Sequence, residues 1–136
     1  MKIIVTGGCG FIGSNFILNQ LRSGKNKILN IDKLTYAGNP ANLASIEKNP
    51  KYQFIQSDIC DFKTINSSIN NFSPESIVHF AAESHVDRSI DTPNDFIRTN
   101  IIGTLTLLEC TRNFLIKNNP ENFRFIHVST DEVFGS

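Results

Sequence analysis

Apolar residues recur along this chain in two alternating patterns: short runs, and longer stretches with helical spacing. The short runs are rich in β-branched residues, as in buried strands. They predict five strands, at residues 2–6, 27–32, 52–56, 76–82 and 123–129. The longer stretches predict helices at residues 11–23, 62–72 and 93–118. Strands and helices alternate, which favours right-handed βαβ units and a parallel sheet.

The predicted fold class is therefore α/β. We expect a doubly wound, Rossmann-like parallel sheet of five strands in the order 3-2-1-4-5, with helices on both faces. The long helix has a clear start, because Thr92 suits the N-cap, Pro93 the first helical position and Asp95 the first turn. Residues 35–51, rich in Asn, predict a loop with a short helix.

Size and charge exclude several classes of protein. The 136 residues fit one domain, and 13 basic residues balance 13 acidic ones. We therefore expect no nucleic-acid or membrane partner. The apolar stretch at the N-terminus is too short for a signal peptide, and no apolar run is long enough to span a membrane. Cys9, Cys60 and Cys110 lack metal-ligand spacing, which predicts no metal site, reduced thiols and a cytoplasmic location.

A glycine-rich loop follows the first predicted strand. Gly7, Gly10 and Gly13 fit the pattern G-x-x-G-x-x-G, and Gly8, Gly10 and Gly13 fit G-x-G-x-x-G. Such glycines permit a tight turn, let a pyrophosphate approach backbone N–H groups, and allow the helix to pack close to the strand. The alternative is a purely structural turn.

Asp32 ends the second predicted strand and supports a dinucleotide site. An acid at this place accepts hydrogen bonds from the adenosine ribose hydroxyls. Its carboxylate would repel the 2′-phosphate of NADP, and Lys33 is the nearest cation in sequence. We therefore predict NAD as the cofactor, bound more tightly than NADP. Cys9, inside the loop, is interpreted as a small buried residue rather than a redox switch.

Two further polar groups follow predicted strands. Residues 80–89 follow the fourth strand, and the adjacent acids Asp131 and Glu132 follow the fifth. Because ligands bind at the carboxyl ends of parallel strands, both groups are expected at the site. A solvated loop and a solvated acidic turn are the alternatives.

Six segments occur in an order and at separations that resemble a known family. They are TGGCGFIG, DKLTYAGN, SDICD, HFAAESHVDRS, RTNIIGT and STDEVFG. They resemble the extended short-chain dehydrogenase/reductase superfamily and, within it, the dTDP-glucose 4,6-dehydratases. The resemblance spans the whole chain, and AAESHVDRS together with STDE carries most of its specificity.

The resemblance implies a set of residues that contact NAD. They are Phe11 and Ile12 beside the pyrophosphate, Asp32, Lys33, Leu34 and Thr35 around the adenosine ribose, Asp58 and Ile59 beside adenine, Phe80, Ala81, Ala82, Glu83 and Ser84 along the inner half of the cofactor, and Thr99 from the long helix. Ser84 and Thr130 would contact the sugar of the substrate. The family also dimerises through the helix at 93–118, which implies a homodimer.

The implied reaction makes dTDP-4-keto-6-deoxyglucose from dTDP-glucose. The sugar is oxidised at C4, water is eliminated across C5 and C6, and hydride returns to C6. Elimination needs one ionised carboxylate and one protonated acid. By resemblance, Asp131 is the acid, Glu132 is the base, and Thr130 hydrogen-bonds the C4 oxygen. The full-length protein would then be a lyase of deoxysugar biosynthesis.

One departure from the family pattern leaves alternatives open. The family's Y-x-x-x-K pair is expected some tens of residues after STDE, and neither Tyr36 nor Tyr52 has a Lys four residues on. Domain 1–136 is thus interpreted as the NAD-binding portion, without the later strands and the substrate domain. We expect these residues alone to show no dehydratase turnover. The alternatives are a related nucleotide-sugar epimerase or reductase, and a truncated, non-catalytic NAD-binding module.

We predict that the 136-residue chain self-associates at micromolar concentration. The fifth strand would form an apolar sheet edge, and the long helix carries one stripe of Ile97, Ile101, Leu105 and Leu108. A version extended through the next strand and helix should behave better. Light scattering measures this directly, and a monodisperse, stable monomer of the 136-residue chain would contradict it.

Overall fold

The computed structural model describes residues 1–135, so the last residue of the predicted domain lies outside the described part. The sheet contains β1 (Lys2–Thr6), β2 (Lys27–Asp32), β3 (Tyr52–Gln56), β4 (Ser76–His79) and β5 (Arg124–His127). The helices are α1 (Phe11–Arg22), α2 (Phe62–Phe72), α3 (Val86–Asp91), α4 (Pro93–Phe96) and α5 (Thr104–Asn118). A π-helical segment, Ile97–Gly103, joins α4 to α5, and 3₁₀ turns occur at Pro40–Ile46 and Asp131–Phe134.

All strand pairs are parallel, and their order is β3-β2-β1-β4-β5. The predicted topology is confirmed. The central strand β1 is apolar and buried, and its Ile4 pairs with Leu29 of β2 on one side and Ile77 of β4 on the other. Because the chain leaves β1 towards β2 and returns to β4, the carboxyl ends of β1 and β4 flank the topological switch point.

Alternate residues of the central strands pack into two cores, one on each face of the sheet. Ile3, Val5 and Val78 pack with Ile17 and Leu21 of α1. On the opposite face, the core contains Ile4, Leu29, Ile31, Ile65, Ile69, Ile77, Leu107 and Phe114, from the sheet and from α2 and α5. The prediction of helices on both faces is confirmed, and burial of these apolar faces stabilises the doubly wound arrangement.

A buried histidine ties the sheet to α5. The Nδ1 atom of His79 lies 2.6 Å from Thr6 Oγ1, and its Nε2 atom lies 2.9 Å from Thr104 Oγ1. The ring stacks on His127 with 5.0 Å between centroids. Burial, together with the nearby His127 ring, lowers the pKa of His79 to about 4. This imidazole is therefore neutral in the folded protein at neutral pH.

The fourth and fifth strands are shorter than predicted. β4 ends at His79 rather than at residue 82, and β5 covers four residues rather than 123–129. The Phe80 N–H still donates to Thr6 O at 3.0 Å, but β1 then turns away at Gly7, so β4 loses its pairing partner. β5 in turn follows the shortened β4.

The long helix is continuous from 93 to 118 but irregular, because residues Ile97–Gly103 are π-helical. Thr92 occupies the N-cap position, as predicted, but its side chain makes no capping hydrogen bond. The Thr92 hydroxyl donates instead to Arg88 O at 2.9 Å and closes α3, a helix that the sequence pattern did not predict. Pro93 does occupy the first turn, as predicted.

The predicted apolar stripe of this helical segment is exposed. Ile97, Ile101, Leu105 and Leu108 all lie on the surface among the described residues. Within residues 1–135, no helix combines the length and the apolar character needed to cross a bilayer. The stripe is thus a feature of a surface helix, and its contiguous apolar area is of the kind that binds another protein surface.

We predict that His79 makes the fold less stable in acid. The folded-state pKa of about 4 lies below the ordinary histidine value of 6.5, so the unfolded chain binds the proton more tightly. The stabilisation is fully present above pH 6.5 and is lost as the pH falls towards 4. Lowering the pH from 6.5 to 5 should cost about 2 kcal/mol of unfolding free energy through this residue.

Urea unfolding at the two pH values, for the unaltered chain and for His79→Gln, measures this contribution. The unaltered chain should lose more stability on acidification than the variant. Equal losses in both proteins would contradict a buried, neutral His79.

Candidate functional site

The glycine loop packs β1 against the end of β4. Gly7 has a φ of +70°, and a Cβ there would lie 2.6 Å from the backbone N of Ala81. A Cβ at Gly13 would lie 2.4 Å from Gly7 O, so this glycine lets α1 begin close to the turn. A Cβ at Gly10 would meet nothing closer than 3.4 Å. Gly10 thus leaves an open surface, whereas Gly7 and Gly13 are required by packing.

The N-terminus of α1 is open to a ligand. The first N–H groups of a helix have no intrahelical partners, and the N-cap, Gly10, has no side chain to satisfy them. Phe11 and Ile12 are 82% and 62% exposed. Free N–H groups and the positive end of the helix dipole bind phosphate oxygens. This end of α1, beside a glycine surface, therefore fits a dinucleotide pyrophosphate.

Asp32 lies next to this helix end and is almost fully buried. Its Oδ2 accepts from the Cys9 N–H at 2.8 Å, and its Oδ1 accepts from the Leu34 N–H at 2.8 Å. Leu34 adopts a φ of +60°, which is rare for a bulky residue and brings its N–H to the carboxylate. Each carboxylate oxygen keeps acceptor capacity, so Asp32 can still accept from ribose hydroxyls.

A buried polar network that the sequence analysis missed supports the loop from below. The Gly8 N–H donates to Asn30 Oδ1 at 3.1 Å, and Asn30 Nδ2 donates to Tyr52 Oη at 3.0 Å. Asn30 occupies a strand position between apolar residues, and this is the one sequence signal that could have marked it. Burial, with the nearby Asp32 carboxylate, raises the pKa of Cys9 to about 11, so its thiol is protonated.

Charged groups gather where the adenosine half would lie. Lys33 Nζ lies 3.2 Å from Asp58 Oδ2, and Arg98 Nη2 lies 3.4 Å from the same oxygen. Ile59 is buried and packs closely against Gly103 of the π-helical segment. A Cβ added at Gly103 would lie 2.5 Å from Ile59 Cδ1. The structure thus places Lys33 in contact with Asp58 and adds Arg98, which the sequence analysis did not name.

The loop after β4 is held by an asparagine from the π-helical segment. The Glu83 N–H donates to Asn100 Oδ1 at 2.8 Å, and Asn100 Nδ2 donates to Glu83 O at 3.0 Å. This pairing fixes the backbone on either side of Glu83, next to the exposed Ser84. Asn100 is a positioning residue that the sequence analysis missed, since only its place in the fold reveals it.

A cluster of surface residues bridges the loop after β2 and the loop after β4. Tyr36 Oη lies 3.0 Å from Glu83 Oε2 and 3.1 Å from His85 Nδ1. The Arg88 guanidinium lies 3.8 Å from the Tyr36 ring centroid, a cation–π contact. Since these two loops flank the glycine loop, the bridge crosses the end of β1. A cavity of about 150 Å³ lies here, and Thr99 contributes to its wall.

Thr130, Asp131 and Glu132 follow β5 and form an exposed turn. The Thr130 hydroxyl donates to Asp131 Oδ1 at 3.2 Å and accepts from the Glu132 N–H at 3.4 Å. These side chains lie at the carboxyl-terminal end of the sheet, as does the glycine loop, because the strands are parallel. The other described site residues are not among their hydrogen-bonding partners.

Comparison with known proteins gives this geometry a family. The family model described as GDP-mannose 4,6 dehydratase matches residues 4–136. The chain belongs to the GDP-mannose 4,6 dehydratase family. The resemblance inferred from the six sequence segments is confirmed.

Individual proteins and solved structures similar to this chain agree with this. A dTDP-glucose 4,6-dehydratase of Escherichia coli is 50% identical over 99% of this chain and 38% of its own length. The structure of a dTDP-glucose 4,6-dehydratase from Streptomyces venezuelae, with NAD bound, matches 100% of this chain and 41% of its own at a TM-score of 0.87 and 43% identity. A UDP-glucose 4-epimerase from Thermotoga maritima matches 96% of this chain and 38% of its own, with a TM-score of 0.79 and 32% identity. The chain spans about two fifths of the length of these proteins.

We predict that Gly7→Ala is far more destabilising than Gly24→Ala. Both glycines have positive φ values, +70° and +64°, so both substitutions strain the backbone by about 1–2 kcal/mol. Only Gly7 also faces backbone atoms, because a Cβ at Gly24 meets nothing within 4 Å. The Gly7 variant should lose about 3 kcal/mol or more. Urea unfolding of both variants measures this, and equal losses would contradict a tight Gly7–Ala81 contact.

Proposed function

We propose that the protein to which this chain belongs catalyses the NAD-dependent dehydration of dTDP-glucose to dTDP-4-keto-6-deoxyglucose. Residues 1–136 would form its NAD-binding domain. The observation that carries this proposal is the position of Thr130, Asp131 and Glu132 on the turn after β5. This turn lies at the carboxyl-terminal end of the sheet, where the glycine loop also lies. The dTDP-glucose 4,6-dehydratases similar to this chain support it.

The residues at the carboxyl ends of β1 and β2 fit NAD. The pyrophosphate would bind the free N–H groups of α1 beside Gly10, and Asp32 would hold the adenosine ribose. Phe80–Ser84 and Thr99 would face the nicotinamide half. When bound, NAD supplies reversible hydride acceptance from C4 of the sugar.

Thr130, Asp131 and Glu132 would carry out the proton transfers of the elimination. The Thr130 hydroxyl would donate to the C4 oxygen, which orients the sugar together with Ser84. Glu132 would remove the proton at C5, and Asp131 would give a proton to the departing C6 hydroxyl. The backbone hydrogen bond from Glu132 to Thr130 Oγ1 holds these neighbours in one turn.

This division of roles requires that the turn be covered during the reaction. A carboxylic acid that keeps its proton at neutral pH needs a desolvated environment. Asp131 is exposed among the described residues. Bound sugar, together with any protein that closes over the turn, would have to remove water from Asp131 while Glu132 stays ionised.

The helical segment 93–118 is proposed as the surface of a homodimer. Its exposed stripe of Ile97, Ile101, Leu105 and Leu108 is apolar and lies along one face. We also propose a cytoplasmic location. It rests on the three cysteines, which are unpaired among the described residues.

A nucleotide-sugar epimerase is the second proposed function, because an epimerase structure matches the chain at 32% identity. The adjacent acids favour dehydration, since inversion at C4 eliminates no water. A non-catalytic NAD-binding module is the remaining alternative, and it predicts NAD binding without turnover of either sugar nucleotide.

The test uses the protein as its gene encodes it, supplied with NAD and dTDP-glucose. Asp131→Asn and Glu132→Gln should each lower kcat for 4-keto-6-deoxy sugar formation by about 10²- to 10⁴-fold, because each removes one proton transfer. The Kd for NAD should stay within about twofold, because neither side chain holds the cofactor. Mass spectrometry of the product and calorimetric NAD titration give the two readouts.

Glu121→Gln is the matched control, since it removes one exposed carboxylate that precedes β5, at the amino-terminal end of that strand. It should leave kcat unchanged. Full activity of both acid variants would contradict the assigned roles. A product that retains all sugar oxygens would indicate epimerisation instead.

A further inference from the structure

Asp58 holds two cations at the adenosine end of the site. Its Oδ2 atom lies 3.2 Å from Lys33 Nζ and 3.4 Å from Arg98 Nη2. Its other oxygen, Oδ1, accepts from the Cys60 N–H at 2.9 Å. The Asp58 side chain is only 21% exposed, whereas those of Lys33 and Arg98 are 53% and 61% exposed. A mostly buried carboxylate therefore contacts two exposed cations.

The backbone keeps Asp58 in this position and in its ionised form. Burial raises the pKa of Asp58, but hydrogen bonds from the Cys60 N–H and from Lys33 outweigh burial, so its pKa lies below the ordinary value. The carboxylate is therefore charged at neutral pH, and one of its oxygens remains directed at the two cations.

The position of Lys33 makes this cluster relevant to the choice of cofactor. Lys33 directly follows Asp32, the residue proposed to hold the ribose hydroxyls, and β3 pairs with β2 so that Gln56 lies opposite Asp32, two residues before Asp58. NADP differs from NAD by a phosphate on this ribose, and a cation near it accommodates that phosphate. Lys33 and Arg98 would be two such cations if they were uncompensated.

We propose that Asp58 is a second specificity-determining residue, which disfavours NADP by offsetting part of the positive charge of Lys33 and Arg98. Asp32 repels the 2′-phosphate directly, whereas Asp58 reduces the attraction that the nearby cations would provide. This inference rests on the proposed NAD-binding function. It differs from the role beside adenine that the resemblance implies, because it acts through charge rather than through contact with the base.

The two cations reach Asp58 from different parts of the chain. Lys33 and Arg98 come from different elements, the loop after β2 and the π-helical segment, and both contact Asp58. Replacing Asp58 by Asn keeps an Oδ1 acceptor for the Cys60 N–H and removes only the negative charge. The site would then carry two uncompensated cations around the ribose.

The test measures Kd for NAD and for NADP by calorimetry in the protein as its gene encodes it. Asp58→Asn should reduce the ratio of the NADP Kd to the NAD Kd roughly tenfold, because cations near the phosphate are no longer cancelled. The ratio is the readout, since loss of a contact to adenine would weaken both dinucleotides equally. Adding Lys33→Met to Asp58→Asn should restore most of the original ratio.

Two single variants test the idea without altering Asp58. Lys33→Met and Arg98→Met alone should each leave the ratio unchanged or raise it, because each removes a cation whose charge the single Asp58 carboxylate already offsets in part. Glu121→Gln, which removes a distant carboxylate, should leave the ratio unchanged. Thermal unfolding followed by circular dichroism checks that each variant is folded.

The outcomes distinguish this inference from the proposed function. If the unaltered protein binds NAD but Asp58→Asn leaves the ratio unchanged, the role of Asp58 is wrong and the NAD site stands. A lower ratio in Lys33→Met or Arg98→Met alone would also overturn it, because removing a cation cannot add attraction for the 2′-phosphate. If the unaltered protein binds neither dinucleotide, the proposed function and this inference both fail.

Discussion

The rest of the site depends on the close approach of two backbones, at Gly7 after β1 and at Ala81 after β4. A Cβ at Gly7 would lie 2.6 Å from Ala81 N, so no other residue permits this spacing without a shift. Because the chain turns at that point, α1 begins directly beyond the carboxyl-terminal end of β1. The free N–H groups of α1 and the loop after β4 then border one cleft. A wider spacing would separate the proposed phosphate and nicotinamide positions.

Below this contact, the buried polar groups are paired with one another. Asn30 supports the glycine loop, and His79 joins Thr6 to Thr104. In residues 1–135, every buried side-chain nitrogen and oxygen has a hydrogen-bonding partner. Beyond the carboxyl-terminal ends of the strands, in contrast, the loops after β2 and β4 meet through exposed contacts such as that of Tyr36 with Glu83. Paired buried groups beneath loops that meet through exposed contacts suit a site that must admit a long ligand.

The sequence predicted what local patterns determine. β1, β2, β3 and α2 have the predicted bounds, because apolar spacing and polar boundaries agree there. The topology and the glycine–Asp32 arrangement also followed from pattern. Interactions between distant segments did not. The bonds from Asn100 to Glu83 and from Arg98 to Asp58 join residues 17 and 40 positions apart, and no periodicity marks them. The N-cap position of Thr92 was predicted, but its hydroxyl bond to Arg88 O was not, because the short helix α3 was itself not predicted.

The π-helical segment Ile97–Gly103 has a consequence for how this helix could change in evolution. Its first half turns Arg98, Thr99 and Asn100 towards the cleft, while the same helix carries an apolar stripe on the outside. A π turn holds one residue more than an α turn. Deleting that residue would rotate everything before it by about 100° relative to α5. The ligand-facing side and the outward-facing side are therefore kept in phase by a single inserted residue.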